Sequence, residues 1–298
     1  MADRGRPVEF GFFPVPQAAG YADLVGHVRL AEELGYDLVG VQDHPYQRRY
    51  LDTFTLLAWL AAATERIRLF PDVAHLPLRP PAMLAKAAAS LDVLSGGRFE
   101  LGLGAGGFSR ASQAMGAPRR EGADALAALE EAIGIIRRFW QAPERGIHHD
   151  GQHYRLGGVK AGPPPAHDID IWVGGYGPKM LRLVGRLADG WLPSTGYLSR
   201  EDLEAKQEVV DAAAEEAGRD PAAIRRALNV GGMVTDGATE QWLTGPVEHW
   251  VEELTSLAVE SGFDTFVFWP DEDPGAQLRA FAEVAGGVRE AVSRARSR

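Results

Sequence analysis

The sequence predicts an α/β fold of the (β/α)8 TIM-barrel class, with an insertion after the fourth strand and a short hairpin before the fifth. Strand-like and helix-like segments alternate from end to end about eight times, the number that closes a parallel barrel. Strand segments such as Asp170-Ile171-Trp172-Val173 and Thr265-Phe266-Val267-Phe268-Trp269 read as continuous apolar runs, as expected of strands covered by helices on one face and a packed interior on the other. An open doubly wound sheet would show similar runs, but no glycine loop follows the first strand, where a dinucleotide-binding fold carries it. At 298 residues and 45% hydrophobic, the chain suits one barrel with modest insertions, so residues 1–298 are read as a single domain.

Residues 8–13 form the first strand, and 24–34 carry apolar side chains at helical spacing up to Gly35, a suitable helix stop. Strand 37–41 and helix 53–64 follow, then strand 67–74, helix 81–94 closed by Ser95-Gly96-Gly97, and strand 98–103. Residues 104–122 are polar and glycine-rich, an insertion at a strand's carboxyl end, before helix 123–140. Residues 148–156 predict a hairpin turning at Asp150-Gly151, ahead of strand 169–173. Helix 178–187, strand 190–192, helix 200–217, strand 226–234, helix 246–261, strand 265–269 and helix 274–294 complete the pattern.

Composition removes several function classes. With no cysteine there is no disulfide, thiolate nucleophile or thiolate metal site. A formal net charge of -10 disfavours nucleic acid and anionic membrane as partners, which leaves small molecules. No run of about 18 apolar residues occurs, and the first residues lack an apolar signal core, so a soluble, cytoplasmic protein is expected.

In a barrel, chemistry sits on the loops after the strands. Asp43 and His44 directly follow the second strand. A histidine there, with an adjacent carboxylate to set its tautomer and charge, is suited to exchange a proton with a bound ring or substrate. The bland alternative is a histidine that merely caps the loop. Gly102-Leu103-Gly104-Ala105-Gly106-Gly107 matches the dinucleotide fingerprint by spacing, but it follows the fourth strand and leads into a polar stretch. Gly104 and Gly106 are better read as glycines that let backbone approach a flat ligand. Gly174-Gly175-Tyr176-Gly177-Pro178-Lys179 joins the fifth strand to a helix start, where free amides and the helix dipole suit a phosphate, although Pro178 is also ordinary helix punctuation. His148, His149 and His153 share the hairpin, which precedes a strand, hence lies toward the barrel's other end, and lacks a carboxylate set. No metal site is assigned. His75, after the third strand, is a weaker catalytic candidate, and the pairs Arg48-Arg49 and Arg119-Arg120 flank the predicted mouth.

Asp43-His44, Arg79-Pro80-Pro81 leading into residues 91–98, the string 101–106, and residues 172–183 with 185–191 together resemble the luciferase-like monooxygenase superfamily over nearly the whole chain. That superfamily includes flavin monooxygenases and enzymes that use coenzyme F420, a deazaflavin. The string from Gly177 to Trp191 is most similar to the methylenetetrahydromethanopterin reductase-like branch. The resemblance implies hydride transfer between coenzyme F420 and a small organic substrate. FMN is the rival cofactor, with an oxygen-using FMN monooxygenase as the alternative activity. A barrel that binds flavin without turnover is the alternative of another class. Carried over by position, His44 takes the catalytic place with Asp43 beside it, and Gly174, Gly175 and Gly177 lie against the cofactor phosphate. Asp72-Val73-Ala74 forms a bulge behind the ring, where relatives use a non-prolyl cis peptide.

One departure matters: sugar-phosphate dehydrogenases that use coenzyme F420 carry an acidic residue after the fourth-strand glycines, near Gly107 here, so another substrate is expected. The aromatic residue such enzymes place soon after the histidine has Tyr46 as its nearest counterpart. Trp191, Tyr197 and Trp269 hint at an apolar or planar substrate. A homodimer is expected from family likeness alone. A metal-dependent hydrolase on the same barrel would need His-x-His where Pro14-Val15-Pro16 stands.

Overall fold

A computed structural model describes residues 3–237 and 241–297. Its strands β1 (Glu9–Phe12), β2 (Leu38–Val41), β3 (Arg68–Pro71), β4 (Ala74–His75) and β5 (Leu101–Gly104) alternate with helices α1 (Tyr21–Glu33), α2 (Thr53–Ala63) and α3 (Pro81–Ser95). After β5 come α4 (Ser109–Ala114), α5 (Gly122–Trp140) and a hairpin of β6 (Ile147–Asp150) and β7 (Arg155–Val159). The chain continues through β8 (Ile171–Val173), α6 (Pro178–Leu187), β9 (Gly190–Trp191), α7 (Arg200–Glu216), β10 (Arg225–Val234), β11 (Thr244–Gly245), α8 (Val247–Val259), β12 (Thr265–Pro270) and α9 (Pro274–Arg296).

The barrel strands pair in parallel in the order β3-β2-β1-β12-β10-β9-β8-β5-β4. β3 and β4 are consecutive pieces of one strand, and the ring closes where the Leu69 amide donates to Arg98 and Leu69 accepts from the Glu100 amide. The TIM-barrel expectation is met, with two refinements. The apolar run 67–74 breaks at Asp72-Val73. The insertion also holds a six-residue helix, α4, entered through Phe108 in the left-handed region (φ 53).

Local chemistry accounts for the boundaries. Asp52 caps α2 by accepting from the Thr55 amide at 2.9 Å, and Ser199 with Asp202 forms a capping box on α7. α3 stops at Gly96, left-handed with φ 71. Packing then separates into two layers. Phe10, Phe266 and Phe281 belong to the large layer between strands and helices. Phe13, Leu38, Phe70, Trp172, Leu192, Ala227 and Val267, with Val73 against them, form a separate cluster inside the barrel. Trp172 is fully buried and edge-on to Phe70 at 5.1 Å, and each such side chain contributes about 1.5–3 kcal/mol by burial. Phe13, Leu192 and Val73, from this inner cluster, also line the cavity that opens at the strands' carboxyl ends. Among the described residues no helix is long and apolar enough to cross a membrane.

Candidate active site

The cavity, of about 380 Å³, draws residues from the ends of nearly every barrel strand, the end at which barrel enzymes assemble their sites. His44 is half-buried in it. The His44 ring nitrogen Nδ1 lies 2.6 Å from the Tyr46 hydroxyl, and the exposed Phe108 ring stands edge-on to His44 at 5.6 Å. Burial holds His44 below its ordinary value, opposed by the nearby Asp43 charge. Burial pushes Tyr46 up to about 12, assisted by Asp43 and Tyr197. At neutral pH the pair is therefore an uncharged imidazole and a protonated phenol.

Asp43 does not hold the His44 ring as the sequence suggests. Its carboxylate takes both Arg79 Nε (2.7 Å) and Nη2 (2.8 Å), and accepts the His75 amide at 2.8 Å. Arg79 also pairs with Asp52 and lies over the Phe54 ring at 4.5 Å. A carboxylate this deeply buried needs a bidentate partner more than a neighbouring ring, and it acts on His44 only through space. Asp43 thereby ties the loop after β2 to the strand carrying His75. His75 lines the cavity with its Nε2 unpartnered, and burial holds it below its ordinary value, against Asp43 and together with His44 and Arg79.

The break between β3 and β4 contains a cis peptide at Asp72-Val73. It brings Val73 beneath Gly104, where an added Cβ would lie 2.7 Å from a Val73 methyl, and beside Gly174 at 3.4 Å. A Cβ on Gly106, whose φ is +95, would meet Pro77 at 2.4 Å. Gly104 and Gly106 therefore make room first for the chain's own bulge and only then for a ligand. Asp72, Val73, Ala74, Gly104 and Gly106 all line the cavity.

The glycine loop after β8 is divided. Gly174, Gly175 and Tyr176 line the cavity; Gly177, Pro178 and Lys179 are exposed at the start of α6, outside it. Trp191 donates from its indole to the Gly175 carbonyl at 3.0 Å, fixing the loop from behind, so it is a core residue and not a substrate contact. The first helical bond runs from the Leu181 amide to the Gly177 carbonyl, and Pro178 has no amide, which leaves the Lys179 and Met180 amides free of helical partners. Tyr197 and Trp269 do line the cavity, Trp269 stacked on Phe13 at 4.7 Å.

Sequence reasoning missed Gln42, Ser194 and Asn229, which also line the cavity. Asn229 had a signal: it interrupts the apolar run from Ala227 to Val230. The hairpin is anchored to α5. Glu131 on α5 contacts His149 at 2.8 Å and accepts the His153 and Tyr154 amides. Its turn reaches the start of α5, where Arg120 bonds the Tyr154 hydroxyl, so it climbs toward the cavity's end of the barrel and Arg120 is not free for a ligand. No group of three or more metal-ligating side chains occurs among the described residues.

The fold and this cavity define a (β/α)8 barrel with its candidate site at the carboxyl ends of the strands. The sequence profile of the luciferase-like monooxygenase family matches residues 8–268, and the chain belongs to that family. It is 34% identical over 215 residues to the 5,10-methylenetetrahydromethanopterin reductase of Archaeoglobus fulgidus, an alignment covering 71% of this chain and 60% of the relative. The match thus spans somewhat over half the length of that relative. Among solved structures, an F420-dependent secondary alcohol dehydrogenase bound to an F420-acetone adduct superposes with a TM-score of 0.84 at 18% identity, covering 95% of this chain and 99% of the other. The oxygenating constituent of 3,6-diketocamphane monooxygenase from Pseudomonas putida, in complex with FMN, gives 0.76 at 19% identity, covering 97% and 99%. At these identities the structural likenesses speak to the fold.

A flat heteroaromatic cofactor fits the residues present. The side-chain atoms Gln42 Nε2, Asp72 Oδ2, His75 Nε2 and Asn229 Oδ1 are buried and unpartnered, and all four residues line the one cavity.

Proposed function

We propose that this protein is a coenzyme F420-dependent oxidoreductase that interconverts an uncharged alcohol and its carbonyl compound. The observation that carries the reading is the neutral His44–Tyr46 pair in a cavity lined by no lysine or arginine among the described residues. When bound, the deazaflavin supplies or accepts the hydride. Val73 and the glycines around it would bear on the ring, and the free amides at the start of α6 would meet the phosphate.

The remaining work falls to His44. With Nδ1–H donated to the Tyr46 oxygen, the Nε2 lone pair is a base for the substrate hydroxyl. In oxidation the hydroxyl proton passes to Nε2 while the carbon releases its hydride. The resulting imidazolium keeps its bond to Tyr46 and feels the Asp43 charge, which favours it. Reduction runs the same proton back to the carbonyl oxygen. The lack of a basic side chain in the lining argues against phosphorylated or carboxylated substrates, which need a charged partner when desolvated.

Equilibrium titration with coenzyme F420 and with FMN, read by fluorescence quenching, tests the cofactor. Tight binding of FMN alone moves the reading to an oxygen-using monooxygenase. Bleaching of oxidised F420 by neutral secondary alcohols, with transfer of the carbinol deuterium, is the expected activity. Binding of F420 with no turnover of any alcohol or ketone would leave a non-catalytic barrel.

A further inference from the structure

Asp72 is the group that neither packing nor the proton path above employs. It stands at the break between β3 and β4, buried, on the floor of the cavity. One carboxyl oxygen, Oδ1, accepts from Asn229 Nδ2 at 3.1 Å, and the same Asn229 nitrogen contacts Ser194 Oγ at 3.1 Å. The other oxygen, Oδ2, has no partner, nor does Asn229 Oδ1, so the two side chains do not close on one another. On the β2 side Gly40 faces it, where an added Cβ would come to 3.0 Å from Oδ2. Among the described residues no positive charge pairs with Asp72, unlike Asp43, whose carboxylate is held by Arg79.

A buried carboxyl with one weak neutral donor and no cation is stable as the acid, and the acid has an O–H that must find an acceptor. Resting on the cofactor reading above, we infer that Asp72 is a neutral carboxylic acid whose Oδ2–H donates to a ring acceptor of the bound heteroaromatic cofactor, with Asn229 Oδ1 accepting beside it. The pair thus offers one donor and one acceptor, the two groups with which a lactam edge pairs. Burial supports the acid form by pushing Asp72 up to about 7, against the Asn229 hydrogen bond.

The titratable groups that share the cavity are few. Tyr176, from the loop after β8, feels the Asp72 charge and is itself pushed up by burial, as is Tyr46 after β2, and Tyr197 lies against Tyr176 at 5.3 Å. His44 and His75, from the ends of β2 and β4, are held low and neutral, and Asp43 is paired. β10 contributes the uncharged Asn229, and β5 only glycine and alanine before Phe108. Ionisation of Asp72 is therefore the ionisation near neutrality expected on this floor, and it costs the donor.

The test is a fluorescence titration of the full-length protein with oxidised F420, and separately with FMN, at pH 6 and pH 8.5. Three proteins are compared: wild type, Asp72→Asn, which keeps a donor that cannot ionise, and Asp72→Ala, which has none. Wild-type affinity for the cofactor that binds should fall roughly tenfold per pH unit above about 7. Asp72→Asn should change less than about twofold over the same range, and Asp72→Ala should bind weakly at both. The variants cancel the cofactor's own ionisation. Equal pH slopes in wild type and Asp72→Asn would overturn the assignment while leaving the cofactor reading intact. Failure of both cofactors to bind wild type would instead sink that reading and this one together. Infrared spectra of the ligand-free proteins keep the question independent of binding: the protonated-carboxyl stretch present in wild type at pH 6 and absent from Asp72→Asn is expected. Its absence from wild type would reject the neutral acid outright.

Discussion

The two ends of the barrel spend their polar groups in opposite ways. At the amino end of the strands, Glu9 lies between Arg68 and Arg225, Arg225 also reaches Asp264, Arg68 reaches toward Glu100, and Arg226 is buried against Asp211. Each of these charges faces one of opposite sign. At the carboxyl end, Gln42, Asp72, His75 and Asn229 each keep a buried atom unpartnered. The amino end also leaves Arg225 Nε and Arg226 Nε unmade, but both guanidiniums are ion-paired through their other nitrogens, whereas the four unmade atoms at the carboxyl end belong to side chains that line one cavity, where a ligand could relieve a cost of about 1–3 kcal/mol each. One pair at the carboxyl end behaves like the opposite end: Asp43 with Arg79.

His44→Ala should produce the largest effect at the carboxyl end. Loss of the proton acceptor should lower kcat/KM about 10²–10⁴-fold with a thermal midpoint within a few degrees of wild type. With His44 as the proposed base, alcohol oxidation would need the neutral ring, so its rate should fall as pH drops through the depressed His44 value, below its ordinary 6.5. Steady-state kinetics across that range check both statements, and an unchanged kcat/KM removes His44 from the mechanism.

Arg79→Met comes next and breaks the exception. It strands the Asp43 carboxylate, and about 3–5 kcal/mol of stability should go with it. Denaturant unfolding should show the loss, and the double variant Arg79→Met/Asp43→Asn should recover a large part of it. A single-variant loss under about 1 kcal/mol would mean that the pair does not hold the loop.

How far these ends were legible in the sequence follows from the range of the interactions. Alternation of segments is a local property, and it announced the barrel. His44 was readable because a strand end needs only a few residues to recognise. The true partner of Asp43 lies 36 positions away in Arg79, so adjacency pointed to the wrong ring. The break at Asp72-Val73 sits in an apolar run that reads as unbroken, and its room comes from Gly104 and Gly174 on other strands. α4 is six residues long and is entered through a non-glycine residue at positive φ, features set by tertiary contacts and not by propensity. Asn229, a lone amide in an apolar strand, was visible but carried no meaning until Asp72 stood opposite.

Glu9→Gln sharpens the comparison from the amino end. It removes the carboxylate shared by Arg68 and Arg225, groups partly open to water, so about 1–2 kcal/mol should be lost, between the values for exposed and buried pairs. The activity of the folded fraction should not move. A drop in kcat at full folding would mean that the two ends communicate.

The smallest effect expected is a pH dependence at the same end. His167 lies 2.8 Å from Asp92 and 3.5 Å from Glu100, and its ring is pushed up to about 9, by the Glu100 hydrogen bond first and the Asp92 and Glu100 charges after it, against burial. A histidine raised in the folded state stabilises fully below its unfolded value of about 6.5, and this contribution fades as pH climbs through about 9. About a third of the side chain meets water, which screens the pair and keeps the effect small. The gap in thermal midpoint between wild type and His167→Gln should be widest near pH 6 and close toward pH 10, opposite in sign to the trend from the depressed His44, whose contribution is lost as pH falls. A gap that stays constant across that range would show that His167 contributes only its uncharged hydrogen bonds, and that the amino end is closed by packing and not by charge.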